Sequence, residues 1–154
     1  MTLNVITPIT GVPQTGMAAP SFTVAQDNAV SVNSRRYVVT AASDVSSASV
    51  HSVSSPFYVE LTRPASFKLA PSIVPATGLA LKSTGKNEYR IKVVKGTVPA
   101  PGLNDVILID ASIRVPAGSD VNDAAAIRAA LSLFGGFVNE DGDGIGDVLI
   151  NGVF

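Results

Sequence analysis

Tyr89-Arg90-Ile91-Lys92-Val93-Val94 and Ile107-Leu108-Ile109-Asp110-Ala111-Ser112-Ile113-Arg114-Val115 decide how this chain reads. In the first stretch Tyr89, Ile91 and Val93 alternate with Arg90 and Lys92. In the second, the odd positions are again apolar, and the even positions include Asp110, Ser112 and Arg114. Alternation with period 2 predicts strands of a sheet with one buried and one wet face. A helix is expected next, from about Val121 to about Asn139, capped by Ser119 or Asp120, with Asp123 favouring its positive end. Ile127, Leu131, Phe134 and Val138 form one stripe along it. Alanines, Leu133 and Phe137 cover most of the rest. A helix lying on its own sheet needs an apolar arc of about 100°. This arc is wider, which suggests a core completed by a second copy of the chain. Gly135-Gly136 inside the helix costs about 1 kcal/mol per glycine relative to alanine. The pair implies a close approach of another backbone, a kink, or a helix that ends near Phe134.

With 154 residues, the chain fits one domain and can bury a core without staples. The absence of cysteine excludes disulfides and thiolate metal sites. A charged fraction of 15% against 46% hydrophobic leaves apolar surface for partners. The net charge of −1 gives no global pull towards nucleic acid or membrane, so any polyanion site must be a local patch. The N-terminus lacks the basic start and apolar run of a signal peptide. No apolar run approaches the roughly 18 residues of a membrane span, so no membrane partner is expected.

Residues 1–20, with three prolines, two glycines and no charge, read as an extended N-terminal arm, and 21–154 as a single domain. Strands are expected at Ser21–Ala25, Tyr37–Thr40 and Phe57–Thr62, the last closed by Arg63-Pro64. Arg35-Arg36 reads as a solvated pair. The serine-rich 43–55 segment reads as a loop that carries His51, the sole histidine, as an exposed residue without triad partners. Leu79–Lys82 is a short strand candidate, turned by 83–87 into a hairpin with Tyr89–Val94. Gly96–Asn104 reads as a stiff connecting loop.

Two constellations could carry chemistry. The even positions Lys82, Arg90, Lys92 and Arg114 fall on one sheet surface, joined by Thr62, Ser112 and Tyr58. Such a face can hold a phosphate backbone and stack a base. It is also what an ordinary solvated sheet face looks like, and Glu60 and Asp110 on the same positions oppose a strong anion site. The second is Asn139-Glu140-Asp141-Gly142-Asp143-Gly144-Ile145-Gly146-Asp147, which resembles the start of a calcium loop. Its twelfth position is Ile150 rather than an acid. The preferred reading is therefore a glycine-rich turn before a second short helix, 147–151, and no metal is expected. No nucleophile has a credible base, so no enzyme and no cofactor are expected.

The order of these elements resembles the coat proteins of single-stranded RNA bacteriophages, the leviviruses. Four stretches carry the likeness. They are Asn87-Glu88-Tyr89-Arg90-Ile91-Lys92-Val93-Val94-Lys95, Ile113-Arg114-Val115-Pro116-Ala117-Gly118, Ile127-Arg128-Ala129-Ala130-Leu131-Ser132-Leu133, and Gly146-Asp147-Val148-Leu149-Ile150-Asn151-Gly152-Val153. The likeness covers 79–154 well and 20–78 loosely.

The resemblance implies an α+β fold: one antiparallel sheet with an N-terminal hairpin and two C-terminal helices, in an interlocked homodimer. It implies an icosahedral capsid packaging single-stranded RNA, found in the virion and assembled in the bacterial host cytoplasm. It also implies an inner face with Lys82, Arg90, Lys92 and Arg114 against RNA, the 96–104 connector at the symmetry axes, and an operator hairpin held as translational repressor. Leu108 and Asp110 stand where family members often carry a stacking tyrosine and an amide, which favours packaging over hairpin recognition. The rival reading is an extracellular β-rich binding module with a calcium site at 139–147.

Overall fold

The computed structural model describes residues 4–28, 30–45, 50–71, 76–78 and 84–153. Among them lie strands β1 (Ile9–Thr10), β2 (Ser21–Asp27), β3 (Ser34–Ser43), β4 (Phe57–Thr62), β5 (Lys86–Ala100) and β6 (Leu103–Pro116). Helices α1 (Ser119–Asn122), α2 (Ala124–Glu140) and α3 (Gly142–Asn151) follow. Each strand pairs antiparallel with the next, in the order β1-β2-β3-β4-β5-β6. The expected class, one antiparallel sheet with an N-terminal hairpin (β1–β2) and C-terminal helices, is the observed one.

The expected strands at Ser21, Tyr37 and Phe57 lie in β2, β3 and β4. The two alternating stretches form the long β5–β6 hairpin. Here the expectation of a loop over Gly96–Asn104 fails. Strand pairing continues to Ala100 and resumes at Leu103, leaving only Pro101-Gly102 as the turn. Proline fixes the first central position, and Gly102 takes φ 81° at the second, the pattern of a type II turn. Two glycines and two prolines across Gly96–Gly102 read as a loop, but a bulge between Thr97 and Ala100 absorbs the irregularity without ending the ladder. β5 pairs with β4 through 90–95, and the expected strand at Leu79–Lys82 lies outside the described residues.

The helical half also departs from expectation in its boundaries. Neither Ser119 nor Asp120 is the cap; both lie in the one-turn α1. Asp123 interrupts the helix and caps α2, its carboxylate accepting from the Ala126 N–H at 3.2 Å. α2 runs through Gly135-Gly136 without ending at Phe134. α3 starts at Gly142, not at Asp147, because a single residue, Asp141, suffices to separate the helices.

The core is thin. Among the described residues the buried apolar side chains are Pro20, Val24, Val39, Val94 and Ala117, and none is fully enclosed. A sheet hides one face only when a second layer covers it. α2 has no buried residue, and α3 buries only Gly142. Among the described residues, no helix is long and apolar enough to cross a membrane.

Candidate functional site

Residues directly opposite each other in an antiparallel sheet share a face. The register therefore fixes which side chains meet. One row crosses five strands as Asp27, Arg36, Glu60, Lys92 and Asp110, with the sign alternating at every step. Beside it runs the row Ser34, Thr62, Arg90, Ser112, and beyond that the pair Glu88–Arg114. On the other flank lies an apolar row, Ala25, Val38, Tyr58, Val94, Leu108. Arg90, Lys92 and Arg114 thus share one face, with Tyr58, Thr62 and Ser112, as their even spacing predicts. Lys82 lies outside the described residues.

This face is balanced rather than basic. Arg90 Nε lies 3.2 Å from Asp110 Oδ1, and Arg114 Nε lies 3.3 Å from Glu88 Oε2. Lys92 stands between Glu60 and Asp110 in the row. Exposed pairs of this kind contribute about 0–1 kcal/mol each, but they place a competing anion beside each arginine. A phosphate would have to share or replace that partner.

Arg36 belongs to the same face, contrary to its reading as one of a solvated pair. Its Nη2 donates to Glu60 Oε2 at 2.9 Å, and its guanidinium sits 4.4 Å from the centre of the Tyr58 ring. The signal was available: β3 extends back to Ser34, and alternation from Val38 puts Arg36, not Arg35, on this face. His51 is not an exposed loop residue either. It is half-buried, its Nδ1 accepts the Phe57 N–H at 3.0 Å, and its ring meets Tyr58 edge-on. It fixes the entry into β4, a structural use that residue spacing alone does not reveal.

A second feature is the outer edge of β6. Among the described residues no strand pairs with it on that side, and both faces of its first eight residues are exposed; Ile109 is 57% exposed. The edge looks onto a cleft of about 1060 Å³, lined by Leu108–Pro116 on one side and the apolar stripe of α2 and α3 on the other. The helix stripe contains Ile127, Leu131, Phe134, Val138, Ile145 and Leu149. Leu131 is 52% exposed and Leu149 77%. A long, apolar, unpaired edge beside an uncovered helix stripe is what a soluble chain avoids unless another chain fills it.

The 139–147 segment is not the loop that a calcium site of this kind needs. Asn139 and Glu140 end α2, and Gly142–Asp147 lie in α3, so the segment is helical except at Asp141. Side chains on a helix radiate outward and do not wrap one cation as a loop does. The Asp147 carboxylate instead accepts from Thr15 Oγ1 at 3.0 Å. No cluster of three potential ligands occurs among the described residues.

Among solved structures, the chain is similar to the virus-like particle protein of bacteriophage ESE020. The two share 35% sequence identity over 99% of this chain and 100% of that one, with a TM-score of 0.93. It is also similar in fold to the virus-like particle protein of Beihai levi-like virus 32, at 14% identity, TM-score 0.52, covering 86% and 88% of the two chains. No family model and no curated protein matches the sequence.

Proposed function

Because the chain belongs to the RNA bacteriophage coat-protein family, we propose that it works as a homodimer whose shells package single-stranded RNA. Its role as a capsid-forming structural protein of the virion follows from that membership. The dimer is the finer reading, and one observation carries it: the β6 edge and the α2–α3 stripe open onto the same cleft. Surface area supports it. A compact monomer of this mass exposes roughly 7,300 Å², whereas this chain exposes 11024 Å². The excess, roughly 3,700 Å², is more than the roughly 1,000–2,500 Å² per chain that a large homodimer interface covers. It leaves area for contacts between dimers as well. We read residues 1–20 as the arm of that assembly and 21–154 as its single coat domain.

RNA packaging rests on the sheet face that carries Arg90, Lys92 and Arg114, with Lys82 as a further candidate. A shell repeats that face over its interior, so weak contacts add up. The alternating charges make each contact weak, and β6 carries no aromatic residue to stack a base. General packaging in the host cytoplasm is therefore the reading favoured over repression through one operator hairpin.

Electron microscopy and nuclease-resistant nucleic acid content of the purified protein test both parts. Closed shells with RNA are expected; monomers would overturn the dimer reading. Replacing Arg90 and Lys92 together with serine should leave dimers intact and lower the RNA content. The slope of log affinity against log salt should shrink by roughly 1.4, at about 0.7 per single-strand phosphate contact. Normal packaging by that double variant would assign RNA binding elsewhere.

A further inference from the structure

Resting on the dimer reading, we propose that two copies join their β6 edges antiparallel in one register, with Ser112 on the two-fold axis and Asp110 facing the partner's Arg114. Two-fold pairing of a strand with its own copy is described by the residue at its centre. If the sheet is to continue flat with both pairs of helices on one side, facing residues must share a face. Charges then discriminate among the possible centres. A centre at Asp110 opposes Asp110 to its own copy, and a centre at Arg114 does the same with two guanidiniums. Like charges directly opposite each other destabilise a sheet. A centre at Ala111 sets Arg114 against the partner's Leu108, and a centre at Ile113 sets Asp110 against the partner's Pro116. Only a centre at Ser112 opposes Asp110 to the partner's Arg114, and symmetry makes that pair twice.

Two independent features agree. The part of β6 that borders the cleft runs from Leu108 to Pro116, and its midpoint is Ser112. On the other face, the same register sets Ala111 against the partner's Ile113, small against large, and Ile109 against the partner's Val115. Pro116 cannot donate to the new ladder and ends it. The intrachain partners do not block the new pairs. Asp110 uses one carboxylate oxygen on Arg90, and Arg114 uses Nε on Glu88, each leaving further hydrogen-bonding positions. The register also draws Arg114 into the interface, leaving Lys86, Arg90 and Lys92 as the cations of this hairpin on that face away from the seam.

The chain has no cysteine, so single thiols report cleanly. Leu108→Cys, Asp110→Cys, Ser112→Cys and Arg114→Cys are made separately, assembled, oxidised and run on non-reducing denaturing gels. Residues directly opposite have Cβ atoms about 4.5–5.5 Å apart, near disulfide reach. Cysteines at 110 or 114 would sit about 13 Å from their copies, too far to bridge. A dimer band is expected from Ser112→Cys and from none of the others. A band from another position, or none from any although sedimentation shows a dimer, overturns the register while the dimer stands. A monomeric parent protein overturns the dimer reading, and the register with it.

Discussion

The β5–β6 hairpin and the α2–α3 helices are both regular and both amphipathic, yet they stand in opposite states. The hairpin has its ladder closed on the β4 side and its charged face matched residue by residue. The helices have their backbone bonds closed but their apolar stripe bare. Backbone hydrogen bonds are satisfied within an element or with one neighbour. An apolar stripe needs a second layer, and this chain does not supply one to its own helices. Polar groups are thus paired in a single copy except along the outer edge of β6, whereas the apolar stripe of the helices stays largely exposed. The largest mutational effects should fall where a single copy shows no contact.

Leu131→Asp tests that most severely. At 52% exposure in a lone chain, this substitution would cost within about 0.5 kcal/mol. In a dry interface it should abolish assembly, since an unpaired buried charge costs several kcal/mol. Size exclusion and sedimentation of the variant decide; a particle-forming variant would erase the contrast between the two regions.

Glu60→Ala probes the matched side. Removing the carboxylate leaves Arg36 half-buried over Tyr58 without its partner, at a cost of about 3 kcal/mol. Denaturant unfolding should show this loss with the oligomeric state unchanged.

The helix glycines sharpen the comparison at one point where a helix does touch the rest of its chain. A Cβ on Gly142 would collide with Val12, and one on Gly146 with Gln14, whose Nε2 donates to Gly142 O at 2.8 Å. A Cβ on Gly144 meets nothing. Gly142→Ala should therefore destabilise by about 1 kcal/mol, since the branched Val12 has little room to move, and Gly144→Ala should stabilise by up to about 1 kcal/mol. Thermal melts of the two single variants check the opposite signs. The seat explains glycines that, in sequence, looked like a calcium loop. The smallest effect follows from the same helix. Calorimetry of the protein with millimolar calcium should show no binding heat; a melting-temperature rise lost in Asp143→Ala would restore the metal reading.

Where the chain's own periodicity is strong, the sequence is legible. Alternation identified β5 and β6, their face, and the cations Arg90, Lys92 and Arg114. The girth of the apolar arc on α2 pointed to a partner. Where proline and glycine occur inside a strand, as at Gly96–Gly102, local propensity misled, because pairing with β6 outweighs it. Spacing also misled at His51 and Arg36, whose partners Phe57 and Glu60 both lie in β4.

By itself, the sequence determined the elements that depend on residues two to four apart: strand faces, the helix stripe, and the order that marks the coat-protein family. Only the tertiary structure decided which residues stand opposite. The charge-alternating row from Asp27 to Asp110, the tight turn at Pro101-Gly102 and the common cleft of β6 and α2 are all matters of register between distant segments. Register depends on pairing across strands, and a one-residue slip in any of them would leave the periodicity unchanged while exchanging every partner.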